Sequence, residues 1–107
     1  MLLWLKNLFF KEKIITLSEV QVKLNLCASA HKEGKYHIAY TLANELAEEG
    51  NAQSQYNLAG YFENGLYVNK NREVALKFFK QSANNGFAPA IEKVKMIELN
   101  FDSYMRK

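Results

Sequence analysis

The sequence has little of what staples, spans or charges a chain. It holds one cysteine, one proline and five glycines in 107 residues. Cys27 has no second thiol to pair with, which excludes an internal disulfide framework and makes a reducing compartment, the cytoplasm, the expected setting. No apolar run approaches the roughly 20 residues that cross a bilayer. The opening MLLWLKNLFF invites a signal-peptide reading, but Lys6 interrupts it, Lys11, Glu12 and Lys13 follow it, and no small-residue cleavage site appears. Charge is equally undirected: 14 basic against 11 acidic residues, dispersed, give a formal +3. That balance is too weak and too scattered to imply a nucleic-acid partner.

Catalytic signatures are missing as well. No HExxH, CxxC, nucleophile motif or glycine-rich phosphate loop occurs. His31 and His37 lie on either side of Gly34 and do not share a helical face. Glu48 and Glu49 precede a helix-ending glycine and read as solvated, while Cys27, among small residues, reads as a packing atom rather than a thiolate. The expectation is a chain that is not an enzyme, with no metal, no cofactor and no small-molecule substrate.

What is present points to helices. The apolar content is 49%, aromatics are plentiful (7 Phe, 6 Tyr, 1 Trp), and apolar residues recur throughout, which argues for one small folded domain rather than disorder. The pattern repeats. Gly50 and Gly86 close similar segments 36 positions apart, and at that offset KYHIAYTLANELAEEG (35–50) lies over NREVALKFFKQSANNG (71–86). Ile38 falls on Val74, Ala39 on Ala75, Leu42 on Phe78, Ala47 on Ala83 and Ala52 on Ala88. A period of this size marks stacked helix pairs that bury their apolar faces against neighbours.

Leu2, Leu5, Leu8 and Phe9 space a short amphipathic segment within residues 1–15. It either folds back to cap the first hairpin or, through Trp4, Phe9 and Phe10 flanked by lysines, touches a partner or a membrane surface; capping is preferred because the polar face is short. Thr16 or Ser18 starts a helix running from about Leu17 to Lys32. Gly34 turns the chain, and a second helix runs from Tyr36 to Glu49, closing a hairpin over 17–50. The next hairpin, 52–86, has a helix over Ala52 to Asn64, a loop with Leu66 and Val68 tucked inward, and a helix over 72–85 capped by Asn71. Its apolar stripe is Val74, Ala75, Phe78, Phe79, Ser82 and Ala83. A last helix, 88–105, begins with Pro89 in its first turn, continues through Ile91, Val94, Met96, Ile97 and Phe101, and caps the far end.

Ala52 to Ala90 resembles a Sel1-like repeat, a relative of the tetratricopeptide repeat. The residues that carry the resemblance are Ala52-Gln53-Ser54-Gln55-Tyr56-Asn57-Leu58-Ala59, Phe62, Asn64-Gly65-Leu66-Tyr67-Val68, Asn71, Ala75, Phe79, Ser82-Ala83 and Gly86. The pattern departs at Ala59 and Tyr67, where the family has glycine, at Asn71 for its capping aspartate and at Ser82 for an alanine. Tyr67 must avoid a positive φ or bear strain. The earlier hairpin is similar to a tetratricopeptide unit, with Leu26, Gly34, Tyr36 and Ala39 at that spacing.

The resemblance implies an all-α fold: a short α-solenoid of antiparallel helix hairpins, wound as a right-handed superhelix with terminal capping helices. It implies a concave face lined by Gln21, Leu24, Ala28, His31 and Lys32, then Gln53, Tyr56, Asn57, Gly60, Glu63 and Asn64, then Glu92 and Met96. Tyr56 and Tyr61 serve packing and contact equally well. Amides, an aromatic ring and a glycine on one surface suit a protein or peptide segment. A non-catalytic protein-protein interaction module is therefore expected. Repeats of this family are common in bacterial adaptors and secretion-associated proteins, so the alternative is an immunity or antitoxin-like protein that blocks a toxin. Self-association through an open end of the array is a further expectation.

Overall fold

The computed structural model describes residues 19–106. All six elements among them are helices: α1 (19–32), α2 (Tyr36–Glu48), α3 (Ala52–Asn64), α4 (Arg72–Asn84), α5 (Ala88–Leu99) and α6 (Phe101–Arg106). The segment over residues 1–15 read as a cap, and the Thr16 or Ser18 helix start, lie outside the described residues.

The helix ends explain the bounds. At the end of α2 the Asn51 N–H donates to the Leu46 carbonyl at 2.9 Å and the Gly50 N–H to Ala47 at 3.0 Å. At the end of α4 the Phe87 N–H donates to Ser82 at 3.2 Å and Gly86 to Ala83 at 3.0 Å. These are the same two bonds displaced by the 36-residue offset of the sequence. Both depend on a left-handed residue after the helix, and Gly50 (φ +92°) and Gly86 (φ +88°) adopt it without a Cβ penalty. Starts are capped in the same way twice: the Asn51 side chain accepts from the Ser54 N–H at 2.9 Å and that of Asn71 from the Val74 N–H at 3.1 Å.

Consecutive helices pack together, α2 on α3, α3 on α4 and α4 on α5. The seams are lined by small residues: Ala39, Ala43, Ala59, Ala75 and Ala90 have no exposed surface. One cluster joins Cys27 and Ala30 of α1 with Ala39 and Ala43 of α2 and Tyr61 of α3, while half-buried Leu66 and Val68 close it from the loop. A second joins Ala59 of α3 with Ala75, Leu76 and Phe79 of α4 and Ile97 of α5. Rings link the two, with Tyr40 edge-on to Phe62 at 6.5 Å and Phe62 stacked on Phe78 at 5.9 Å. Burying one such side chain contributes about 1.5–3 kcal/mol.

Polar side chains, Ser82 and Gln55 of them buried, set the register of α3 against α4. The Ser82 hydroxyl donates to the Ala52 carbonyl at 2.6 Å, and the Asn85 amide donates to Gln55 Oε1 at 2.9 Å. Gln55 in turn donates to the Ala47 carbonyl at 3.2 Å. The end of α4 thus lies beside the start of α3. At the other end the Asn71 N–H bonds the Phe62 carbonyl at 2.8 Å.

Two expectations need correction. The stripe on α4 omits Leu76, which is buried, while Val74 and Phe78 are only half-buried; α4 is covered on two sides, so its apolar face is wider than one stripe. Leu26, at the tetratricopeptide spacing, is 53% exposed, while Cys27, read as a packing atom, is buried together with Ala30. The last helix is not continuous through 105. It stops at Leu99, where Asn100 takes φ −126° and ψ 38° and its amide bonds the Met96 carbonyl at 3.3 Å, and α6 follows as a separate turn. The break lets Tyr104 reach back to α4 and leaves Met96, Leu99 and Phe101 exposed.

Candidate functional site

α1 and α3 lie side by side and leave an open groove of about 440 Å³ between them. From α1, Leu24, Cys27, Ala28 and His31 face it. From α3 come Gln53, Tyr56, Asn57, Gly60, Tyr61 and Asn64, at a spacing of one helical turn, and Leu66 closes one end. The floor is apolar and aromatic. Tyr56 lies edge-on to Phe79 at 5.4 Å and tilted on Phe87 at 5.3 Å, so its ring is held rigidly from below.

Gly60 shapes the groove. A Cβ built there meets nothing within 4 Å, so no packing demand excludes a larger residue. A mid-helix glycine nevertheless costs about 1 kcal/mol against alanine. What the missing side chain does is leave the surface of α3 bare where a ligand backbone can lie on it.

The amides on this face can both donate and accept hydrogen bonds. Neither the Gln53 nor the Asn57 amide makes a hydrogen bond among the described residues, and the two stand one turn apart on the same face. The His31 Nδ1 is engaged instead, 3.2 Å from the Tyr61 hydroxyl. Tyr61 is buried, and burial first, with Cys27 and Tyr36 adding, pushes its phenol above the ordinary range, so it stays a neutral hydrogen-bonding partner. Cys27 is buried too: its thiol donates to the Ala39 carbonyl at 3.2 Å, and burial pushes it up against an opposing backbone contact from Ala43. A thiol in this state is a poor nucleophile.

The residues expected on one surface fall into three groups. Leu24, Ala28, His31, Gln53, Tyr56, Asn57, Gly60 and Asn64 share the α1/α3 groove. Glu63 and Met96, again with Asn64, line a second cavity of about 520 Å³ bounded by α3, α5, α6 and the start of α4. Gln21, Lys32 and Glu92 line neither: Gln21 bonds Asn25 on its own helix at 3.1 Å, and Glu92 faces Lys95 at 3.8 Å. The expected concave set did not include Cys27 or Leu66, and Tyr61 stood evenly between packing and contact; the groove holds all three. The signal for Tyr61 and Cys27 was available, since Tyr61 follows Asn57 by four residues and Cys27 precedes His31 by four.

The second cavity is charged. Both Glu63 carboxylate oxygens lie 3.1 Å from Lys93 Nζ, and the Arg72 guanidinium lies over the Tyr104 ring at 4.9 Å. Burial, reinforced by Glu63 and opposed by Arg72, pushes the Tyr104 phenol far up.

No family model, no curated protein and no solved structure matches the chain. Among the described residues, no helix is long and apolar enough to cross a membrane, and no three His, Cys, Asp or Glu side chains are grouped to hold a metal ion.

Proposed function

We propose that this chain is a non-catalytic interaction module that binds an extended segment of a protein partner in the α1/α3 groove. The observation that carries the reading is the pair of amides, Gln53 and Asn57, that make no hydrogen bond among the described residues, above a rigid Tyr56 ring and beside a bare Gly60. Amides can bond the N–H and C=O groups of an extended backbone, and a fixed aromatic ring supplies contact area at low entropic cost.

The architecture we propose with it is a short α-solenoid of antiparallel hairpins, Sel1-like and related to tetratricopeptide arrays, with its concave face along α1, α3 and α5. Support comes from the turn bonds that recur at a 36-residue offset, and from the meeting of the start of α3 with the end of α4. Tyr67 adds to it: the family's loop has glycine there, and Tyr67 takes φ +66°. A buried free thiol fits a reducing, cytoplasmic setting.

The test is capture from lysate of the source organism with the wild-type chain beside a Tyr56→Ala, Asn57→Ala variant whose helicity is checked by circular dichroism. A protein retained by the wild type and lost by the variant supports the groove. Equal capture, or none, removes it. An assay of the captured protein's own activity then separates an adaptor from an inhibitor of the immunity-protein kind.

A further inference from the structure

α1 and α3 hold matched places. Cys27 of α1 joins Ala39 and Ala43 of α2, as Ala59 of α3 joins Ala75 and Phe79 of α4. Leu24 and Ala28 face the groove from one side, as Tyr56 and Gly60 do from the other. Each of these α1 residues lies 32 positions before its counterpart on α3.

At that offset Val22, Leu26 and Ser29 correspond to Ser54, Leu58 and Tyr61. In α3 the three share one side by helical spacing, and all are buried, Ser54 and Leu58 with only 1% exposed. That side meets the preceding helix. Tyr61 shares a cluster with Ala39 and Ala43 of α2 and stands edge-on to Tyr40 at 5.9 Å, and toward the start of α3 the Ala47 carbonyl accepts from Gln55. In α1 the same side is open: Val22 and Leu26 are each 53% exposed, and Ser29 is exposed beside them. No described helix precedes α1, and where helices stack in a row the outer side of the first is left for an earlier segment to cover.

We infer that residues 2–10 are that cover, a helix lying antiparallel on α1 as α2 lies on α3. The spacing carries the assignment. Tyr40, Ala43 and Ala47 stand at i, i+3 and i+7 on α2, and Leu2, Leu5 and Phe9 repeat that spacing with apolar side chains throughout. Run antiparallel, they set Leu2 on Ser29, Leu5 on Leu26 and Phe9 on Val22, each step matching the i, i+4, i+7 run of α1. A helix over 2–10 is about 13 Å long and the stripe from Val22 to Ser29 about 11 Å, so one covers the other. Residues 11–18 make the return, within the roughly two to eight usual between packed helices. The occupied side of α1 is opposite to Leu24, Ala28 and His31, so the segment braces one wall of the groove from behind. The inference stands apart from the groove reading, which lysate capture tests.

The test uses the full chain. In a Cys27→Ala background, Leu5→Cys with Leu26→Cys forms a disulfide within one chain at least about tenfold faster than Leu5→Cys with Gln21→Cys, whose α1 position faces away. Equal rates overturn the proposal. A Leu5–Leu26 cross-link found only between chains makes a second copy the occupant and overturns it as well. Hydrogen exchange keeps the question open to disproof if the cysteine variants fail to fold. In the unaltered chain the amides of residues 5–10 are protected, and Leu26→Glu, on an exposed position, speeds their exchange at least about tenfold while leaving α4 unchanged. Fast exchange in the unaltered chain, or no response to Leu26→Glu, overturns the proposal. Protection that appears only with vesicles of phosphatidylcholine and phosphatidylserine makes a lipid surface the occupant and overturns it too.

Discussion

The Tyr67 hydroxyl stands 2.7 Å from His37 Nδ1, and this bond anchors the one non-glycine residue among the described ones with a positive φ, +66°. The Tyr40 ring, 5.3 Å from that of Tyr67, holds it from a second side. A side chain in the left-handed region costs roughly 1–2 kcal/mol, which the ring and hydroxyl contacts must offset. Tyr67→Ala keeps that cost and loses the contacts; Tyr67→Gly loses both. Urea unfolding is therefore expected to find the glycine variant about 1 kcal/mol more stable than the alanine variant. Equal midpoints would show that the backbone there carries no strain.

Gly60→Ala should separate stability from binding. The added methyl meets open space, so it raises unfolding free energy by roughly 0.5–1 kcal/mol through helix propensity. The same methyl stands in the groove, and capture of the partner should fall. A variant that is stabilised and still binds fully would place the ligand elsewhere.

The two asparagine caps give matched measurements. Asn51→Ala and Asn71→Ala each leave a first-turn N–H without its acceptor, and each should cost about 1 kcal/mol. Aspartate at either position keeps the acceptor and faces the positive helix end, so it should restore or exceed wild-type stability. If alanine at position 71 leaves the urea midpoint in place, the cap contributes nothing there.

Cys27 predicts a pH dependence. Burial raises its thiol pKa in the folded state, so between the ordinary thiol value, about 8.5, and the raised one the unfolded chain has lost the proton and the folded chain has not. The contribution is complete below the ordinary value and is lost as pH rises through the folded one. Wild-type stability should fall more steeply than that of Cys27→Ala from about pH 8 to 10. Parallel pH profiles would show the thiol to be as solvated folded as unfolded.

Much of the local structure was legible, because helix stops and starts use few residue types. Gly34 and Gly50 ended helices where expected, Asn71 capped α4, and α3 has the bounds read from its pattern. Asn51 carried an equally plain cap signal that went unread. The break at Asn100 was not legible: Ile97 and Phe101 continue a helical spacing across it, and what α6 packs against lies on Arg72, far back in the chain. Nor could spacing show that Gln21 and Glu92 turn to neighbours on their own helix, since rotamer choice leaves no trace in a pattern of apolar positions. Eight of the thirteen residues expected on the concave face line the α1/α3 groove, among them Asn64, which also borders the second cavity; the helical period puts those of each helix on one side, and it was the resemblance that set the two helices side by side.

The five alanines without exposed surface make the fold unequal in its response to change. Where helices meet through single methyl groups, an added carbon has nowhere to go, while a carbon removed from the half-covered rim is replaced by water. Growth at the seams is therefore the more dangerous direction: alanine to valine at 39, 43, 59, 75 or 90 forces neighbouring helices apart, and the displacement passes to whichever helix is stacked next.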